Sequence, residues 1–336
     1  MSETVNTQEM AQILSEPIFT TFGWVRVGPT DVNWECVELE KHARKKVKTH
    51  PSDAVFRYYD PYRGIDIYLN TDLKSYKSNT LEKTDLAATL RQLARATECA
   101  NKSEKWSELF ANEQRNWQVA GLLFVFNNDG KYDKDFATVL MEVQPSEVPV
   151  AEGQCVYVLG PRDICYLNTI AHDINARRGQ KLLPDQEYCG FYYPDLEDAI
   201  AAKSRKHSAA TIEQMLSPWQ LLRYDKHNPT GIQSGYYFYY RGQGKSVDEF
   251  KYLLDYIFKY QLLGDLDQIL IRMPFACAEA VAIFERSKIQ YQEEFWSVGN
   301  ASPEAFTERL KRIACNSITP MEERFSAVEI GMKKNK

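Results

Sequence analysis

Three times the chain sets an acid two residues before a lysine, at Asp72-Leu73-Lys74, Asp129-Gly130-Lys131 and Glu249-Phe250-Lys251. Their surroundings separate them. The second lies in an Asn/Asp/Gly turn and the third in an amphipathic helical pattern, whereas the first ends a strand-like run. Side chains alternate along a strand, so Asp72 and Lys74 share a face. Asp53 stands nineteen residues before Asp72 and opens the preceding strand-like run. Across an antiparallel hairpin, an acid at the start of one strand faces an acid at the end of the other. Asp60, in the turn of the same hairpin, is a rival for the place of Asp53. Two carboxylates and a lysine on one sheet face suit phosphodiester hydrolysis. Hard carboxylate oxygens bind Mg²⁺ or Mn²⁺. Such an ion lowers the pKa of a bound water and stabilises charge on the phosphate, while a compact lysine cation holds the water or the phosphate.

These residues need a sheet to carry them, and the flanking patterns supply one. Thr7 to Phe19 reads as a helix on the spacing of Met10, Ile13, Leu14 and Ile18, and Gly23 to Gly28 alternates as a short strand. An irregular segment follows. Ala54 to Tyr59 and Ile65 to Leu69 then read as a hairpin, joined by the turn-forming Asp60-Pro61-Tyr62-Arg63-Gly64. Thr84 to Ala100 is a helix with Leu86, Leu90, Leu93 and Ala94 on its apolar face, and Gly121 to Phe126 is an apolar strand. This order predicts an α/β fold with a mixed central sheet flanked by helices, its last crossover parallel. Val156 to Leu159 predicts a further strand and Asn168 to Ala176 a short helix. The turn-rich Arg177-Arg178-Gly179-Gln180 then suggests a boundary between a domain at 1–178 and a second α/β domain at 179–336. In the latter, Tyr236 to Tyr240 and Gln268 to Arg272 read as strands, Val247 to Leu263 and Ala276 to Gln290 as helices. No nucleotide-binding glycine pattern is evident there.

The element order and the acidic motif resemble the PD-(D/E)xK nuclease superfamily over roughly Thr7 to Asn128, a restriction-endonuclease-like fold. Asp72-Leu73-Lys74 stands for the acid-x-lysine motif in its aspartate form, and Pro51-Ser52-Asp53 for Pro-Asp with one residue inserted. The resemblance implies catalytic Asp53, Asp72 and Lys74, with Mg²⁺ or Mn²⁺ on Asp53, Asp72 and a glutamate of the first helix. That glutamate is Glu9, with Glu16, seven residues on and so on the same helical face, as the alternative. Asn70 to Tyr76 is also similar to a stretch of bacterial proteins thought to act in antiphage defence. The leading expectation is a metal-dependent endonuclease acting on DNA in such defence, its second domain recognising a target or controlling activation. An RNA-cleaving, toxin-like effector and a non-catalytic sensor or adaptor on the same scaffold are the alternatives. Partners implied are nucleic acid, DNA before RNA, a protein trigger and a second copy in a homodimer.

Other signals weigh less. The run Lys41, Arg44, Lys45, Lys46, Lys48 lies just before Asp53, and Lys45 and Lys46, with Arg91 and Arg95 on the following helix beside Gln92, are phosphate-binding candidates. Cys36, His42 and His50 hint at zinc, but intervals of five and seven residues match no standard finger and no fourth ligand is evident. There is no Gly-x-Ser-x-Gly, and His172-Asp173 reads as a polar helix face. The aromatic runs Tyr58-Tyr59 and Tyr236 to Tyr240 read as sheet packing rather than base-stacking platforms. A net charge of −5, with 44% hydrophobic and 26% charged residues, speaks for a globular chain and against a general nucleic-acid coat. Seven cysteines without a pairing rhythm, no apolar run near the roughly 20 residues of a membrane span, and no signal-peptide pattern fit a reduced, cytoplasmic setting.

Overall fold

The computed structural model describes residues 15–42, 48–76, 83–111, 116–127, 131–132, 135–194, 208–228, 231–264, 267–298 and 303–322. Two compact units are formed, one by Met1–Asn168, Ala209–Ile212 and Glu322–Lys336, the other by Thr169–Ser208 and Glu213–Met321. No described helix is long and apolar enough to cross a membrane.

In the first unit, residues 15–21 are helical (α1). The chain continues through β1 (Val25–Val27), β2 (Val32–Glu35), α2 (Leu39–His42), β3 (Thr49–Ser52), β4 (Ala54–Asp60) and β5 (Ile65–Tyr76). Then come α3 (Lys83–Ala100), α4 (Glu104–Phe110), β6 (Trp117–Asn127), α5 (Phe136–Met141), β7 (Val156–Leu159) and α6 (Pro161–Gly179), the last crossing into the second unit. The sheet order is β1-β4-β5-β6-β7. β1, β4 and β5 pair antiparallel, and β5, β6 and β7 pair parallel, so the sheet is mixed as expected.

Alternation along β6 decides which helix covers which face. Phe124 meets Phe19 of α1, while Leu123 and Val125 pack with Leu86, Leu90 and Leu93 of α3. Adjacent strand residues point to opposite faces, so α1 and α3 flank the sheet from opposite sides. Gly121 permits the close approach of α3, since a Cβ there would lie 2.6 Å from Thr97 Oγ1. Asn101 ends α3: its amide donates to Thr97 O at 3.0 Å and its Oδ1 accepts from Val119 N at 2.9 Å, tying helix end to β6.

The segment read as irregular contains a small antiparallel sheet, with β2 paired to β3 through Trp34↔His50 and Val32↔Ser52. Strands of four residues, one holding Pro51, carry too little alternation to be seen in the sequence. The helix expected at Asn168 to Ala176 is longer, running from Pro161, with the Asp163 carboxylate accepting from Gly160 N at 2.9 Å to cap its start.

The second unit holds β8 (Cys189–Phe191), β9 (Trp219–Asn228), β10 (Gly231–Tyr240), β11 (Gln268–Met273) and β12 (Ile313–Ser317), in the order β12-β11-β10-β9-β8. β10, β11 and β12 run parallel, the others antiparallel. Its helices are α8 (Val247–Lys259), α9 (Ala280–Val298) and α10 (Pro303–Lys311), after a short α7 (Ile212–Leu216) that spans the division between units. α8 stops before the expected Leu263 because Gln261 turns left-handed, at φ 50°. α9 starts after the expected Ala276, since Cys277 N donates to Gln243 O in a turn. Phe238 and Tyr236 enter the core with Phe250, Leu253 and Ile257, while Tyr239 on the other face bonds Asp173. These aromatics are buried packing residues, as read. Asp173 is no polar face residue: it is ion-paired with the buried Arg272.

Candidate active site

β5 is twelve residues long, and its alternation sets Asn70, Asp72 and Lys74 on one face. The β4–β5 ladder ends at Ala54↔Thr71, so Asp53, at the bend between β3 and β4, stands across from Asp72. Lys74 Nζ pairs with Asp72 Oδ1, and Asp53 Oδ2 accepts from Leu73 N at 2.8 Å. The extra residue in Pro51-Ser52-Asp53 has a place of its own. Ser52 is buried, accepts from Trp34 Nε1 at 3.0 Å and donates to Asn70 Oδ1, fixing the bend that turns Asp53 toward Asp72.

Around the two acids is a depression lined by Pro51, Asp53, Asn70, Thr71, Asp72 and, from α3, Gln92, Leu93 and Ala96. Asp72 is 14% exposed and Lys74 37%, so the pair is held by the protein yet reachable from solvent. Burial, and after it the facing Asp72, push the Asp53 carboxyl up to about 7, although Leu73 N–H and Lys74 pull it down. For Lys74, burial alone would favour the neutral amine, but Asp72 and Asp53 outweigh it and raise its pKa. The lysine therefore stays a cation.

Asp53, Asp72 and Lys74 are thus brought together. Asp60 is not with them: it sits at the other end of the hairpin, where its Oδ1 accepts from Tyr62 N and Arg63 N at 2.9 and 3.1 Å. Glu16 pairs with Arg26 of β1 at 3.5 Å and does not line the depression. Glu9, Lys45 and Lys46 lie outside the described residues. Arg91 donates to Glu147 O at 2.7 Å, and Arg95 lines a neighbouring depression with Cys36, His42 and His50. Gln92 borders both depressions. Asn70 was read only as part of the Asn70 to Tyr76 stretch and not as a site residue, although its place two residues before Asp72 already put it on the same face.

Residues 1–163 match the family described as GAPS4 protein PD-(D/E)XK nuclease domain. This stretch belongs to the PD-(D/E)XK nuclease superfamily. No curated protein matches the chain. The superfamily membership supports nuclease activity in general and nucleic acid as the substrate. PD-(D/E)XK nucleases generally depend on a divalent metal, and the donor set fits one. Two aspartates supply hard oxygens, and burial with mutual repulsion leaves Asp53 favouring its proton, a deficit of positive charge that a divalent cation would meet.

Proposed function

We propose that the domain within residues 1–178 is a metal-dependent endonuclease that hydrolyses DNA phosphodiester bonds, with Asp53, Asp72 and Lys74 as its catalytic residues. The observation that carries this reading is the convergence of two aspartates at a solvent-reachable depression on the sheet of a PD-(D/E)XK domain, with Lys74 paired to one of them.

Asp53 and Asp72 would hold Mg²⁺ or Mn²⁺, with Glu9 of the N-terminal region as a further oxygen donor. When bound, such an ion supplies a more acidic water and neutralises phosphate charge. The protein's own groups do the rest. Leu73 N–H orients the Asp53 carboxylate. Lys74, kept cationic by both acids, faces the charge that builds on the phosphate oxygens. Ser52 and Asn70 hold the bend that aligns the two aspartates. Gln92 and Arg95 of α3 offer polar and cationic contacts to the nucleic-acid backbone beside the depression. Residues 179–336 serve target recognition or control, and a defence role for the whole is supported by the likeness to GAPS4, an antiphage-defence protein.

The test is incubation of the full chain with supercoiled plasmid, linear DNA, single-stranded DNA and bulk RNA, in Mg²⁺, Mn²⁺ or EDTA. Cutting of DNA that EDTA stops is the expected result. Cutting confined to RNA would redirect the substrate. If the folded, metal-supplied protein leaves every substrate intact, an autonomous nuclease is the wrong reading.

A further inference from the structure

Away from the two aspartates, Cys36, His42, His50 and Cys99 are all buried, and one ligand atom from each lies within 4.8 Å of the others. Cys36 Sγ is 3.2 Å from His42 Nδ1 and 3.6 Å from Cys99 Sγ, and Cys99 Sγ is 3.6 Å from His42 Nδ1. Hydrogen bonding explains this poorly, because a single Nδ1 lone pair accepts one thiol proton while two thiols are aimed at it. A tetrahedral ion explains it well. With Zn–S near 2.3 Å and Zn–N near 2.0 Å, ligand atoms at the corners sit roughly 3.3–3.8 Å apart.

We propose that these four residues bind one Zn²⁺ as a closed structural site, separate from the Asp53–Asp72 pair. The intervals after Cys36 did not fit a finger because the fourth ligand is not local: Cys99 comes from α3, 63 residues later in the chain. Two thiolates and two imidazoles neutralise the ion and select zinc over Mg²⁺, which prefers the aspartate oxygens. The surroundings match a zinc centre. Glu98 Oε2 lies 3.5 Å from His42 Nε2, on the far side of the ring from the thiols. That carboxylate makes Nε2 the protonated nitrogen and leaves the Nδ1 lone pair for the metal. Lys41 and Lys102 in turn hold Glu98 in place. Trp34, tilted against His50 with ring centres 5.1 Å apart, joins Trp106, Ala96 and Val119 in an apolar shell on one side of the cluster.

The ligands also say what the ion does. Cys36 follows β2, His42 ends α2, His50 lies in β3 and Cys99 is on α3. β2 and β3 form only a two-stranded sheet, so a metal bridge to α3 supplies an anchor that their own pairing lacks. His50 stands three residues before Asp53, and Gln92 of α3 reaches both depressions. The zinc thereby fixes the chain entering the acidic site against the helix beside it. It is a positioning element, not a catalytic ion.

The full-length protein, expressed in zinc-replete medium and washed with EDTA, is assayed for metal by mass spectrometry. About one zinc per chain is expected, released when a mercurial titrates the thiols. Reconstitution with Co²⁺ should give the visible d–d bands and sulfur-to-metal charge transfer of a tetrahedral thiolate site. The Cys36→Ser/Cys99→Ser variant should hold less than about a tenth of an equivalent, whereas Asp72→Asn should hold zinc as wild type does. That last variant keeps this inference distinct from the nuclease reading, because either can fail alone. Should the double variant not fold, the wild-type metal count and cobalt spectrum decide by themselves. No zinc in wild type, no tetrahedral cobalt spectrum, full zinc in the double variant, or a Cys36–Cys99 disulfide in the purified protein would each overturn it.

Discussion

The two units each rest on a five-stranded mixed sheet with a parallel crossover, but one acidic centre in each is built in opposite ways. In the second, Asp173 and Glu249 are met from within. Asp173 receives Arg272 Nε at 3.1 Å and Tyr239 OH at 3.0 Å. Glu249 accepts from Gly244 N, Lys245 N and Tyr240 OH at 2.8, 2.9 and 2.9 Å, filling the N–H groups of a Gly-containing loop at the start of α8. A loop so filled by its own carboxylate has no place for a phosphate. In the first unit, Asp53 and Asp72 face each other with Lys74 as the cation beside them, and Asp53 is driven toward its neutral form. Compensated charge marks a structural element, and charge left short of a cation marks a place for a ligand.

This contrast can be broken at several points. Within the first unit, Lys74→Met removes the cation but not the metal donors. Cleavage should slow about 10²–10³-fold in single-turnover assays, with nucleic-acid binding little changed. A rate within a fewfold of wild type would take Lys74 out of the chemistry. Next is Arg272→Met, which strands Asp173 in the second unit. Unfolding of that unit in denaturant should become easier by about 3 kcal/mol, and an unchanged midpoint would mean that the pair is not structural.

Asp53→Asn should do the reverse in metal-free protein. The Asp53 carboxyl sits at about 7 in the fold against an ordinary 3.8, so the folded chain holds a proton that the unfolded one has lost. Stability therefore falls as pH rises from about 4 to about 7 and is level above that. At pH 8 in EDTA, the asparagine variant, which still accepts from Leu73 N–H, should be more stable by about 1–3 kcal/mol. Mg²⁺ should raise the melting temperature of wild type alone, and less so as pH drops below 7. A variant less stable than wild type in EDTA would show that Asp53 is satisfied without metal.

Much of this site was legible in the sequence because its logic is local. Alternation along one strand puts Asp72 with Lys74, and a hairpin of ordinary turn chemistry brings Asp53 opposite. The sheet and its flanking helices followed from apolar patterns of sufficient length, such as Leu86 to Leu93 against Gly121 to Phe126. What escaped was short or distant. β2 and β3 are four-residue strands whose pairing depends on the Trp34–Ser52–Asn70 chain more than on their own pattern. Cys99 stands 63 residues after Cys36, and only the fold carries the two together. Asp173 and Arg272 are 99 residues apart, so neither announced the other.

The most direct measurement is cleavage by Asp72→Asn beside wild type, each matched for melting temperature and circular dichroism, with Mg²⁺ or Mn²⁺ titrated into both. Wild type should cut only with metal, and the variant should lose about 10³-fold or more at every metal concentration while still binding nucleic acid. A variant that cuts as fast as wild type would contradict the assignment of the Asp53–Asp72 pair as the catalytic centre.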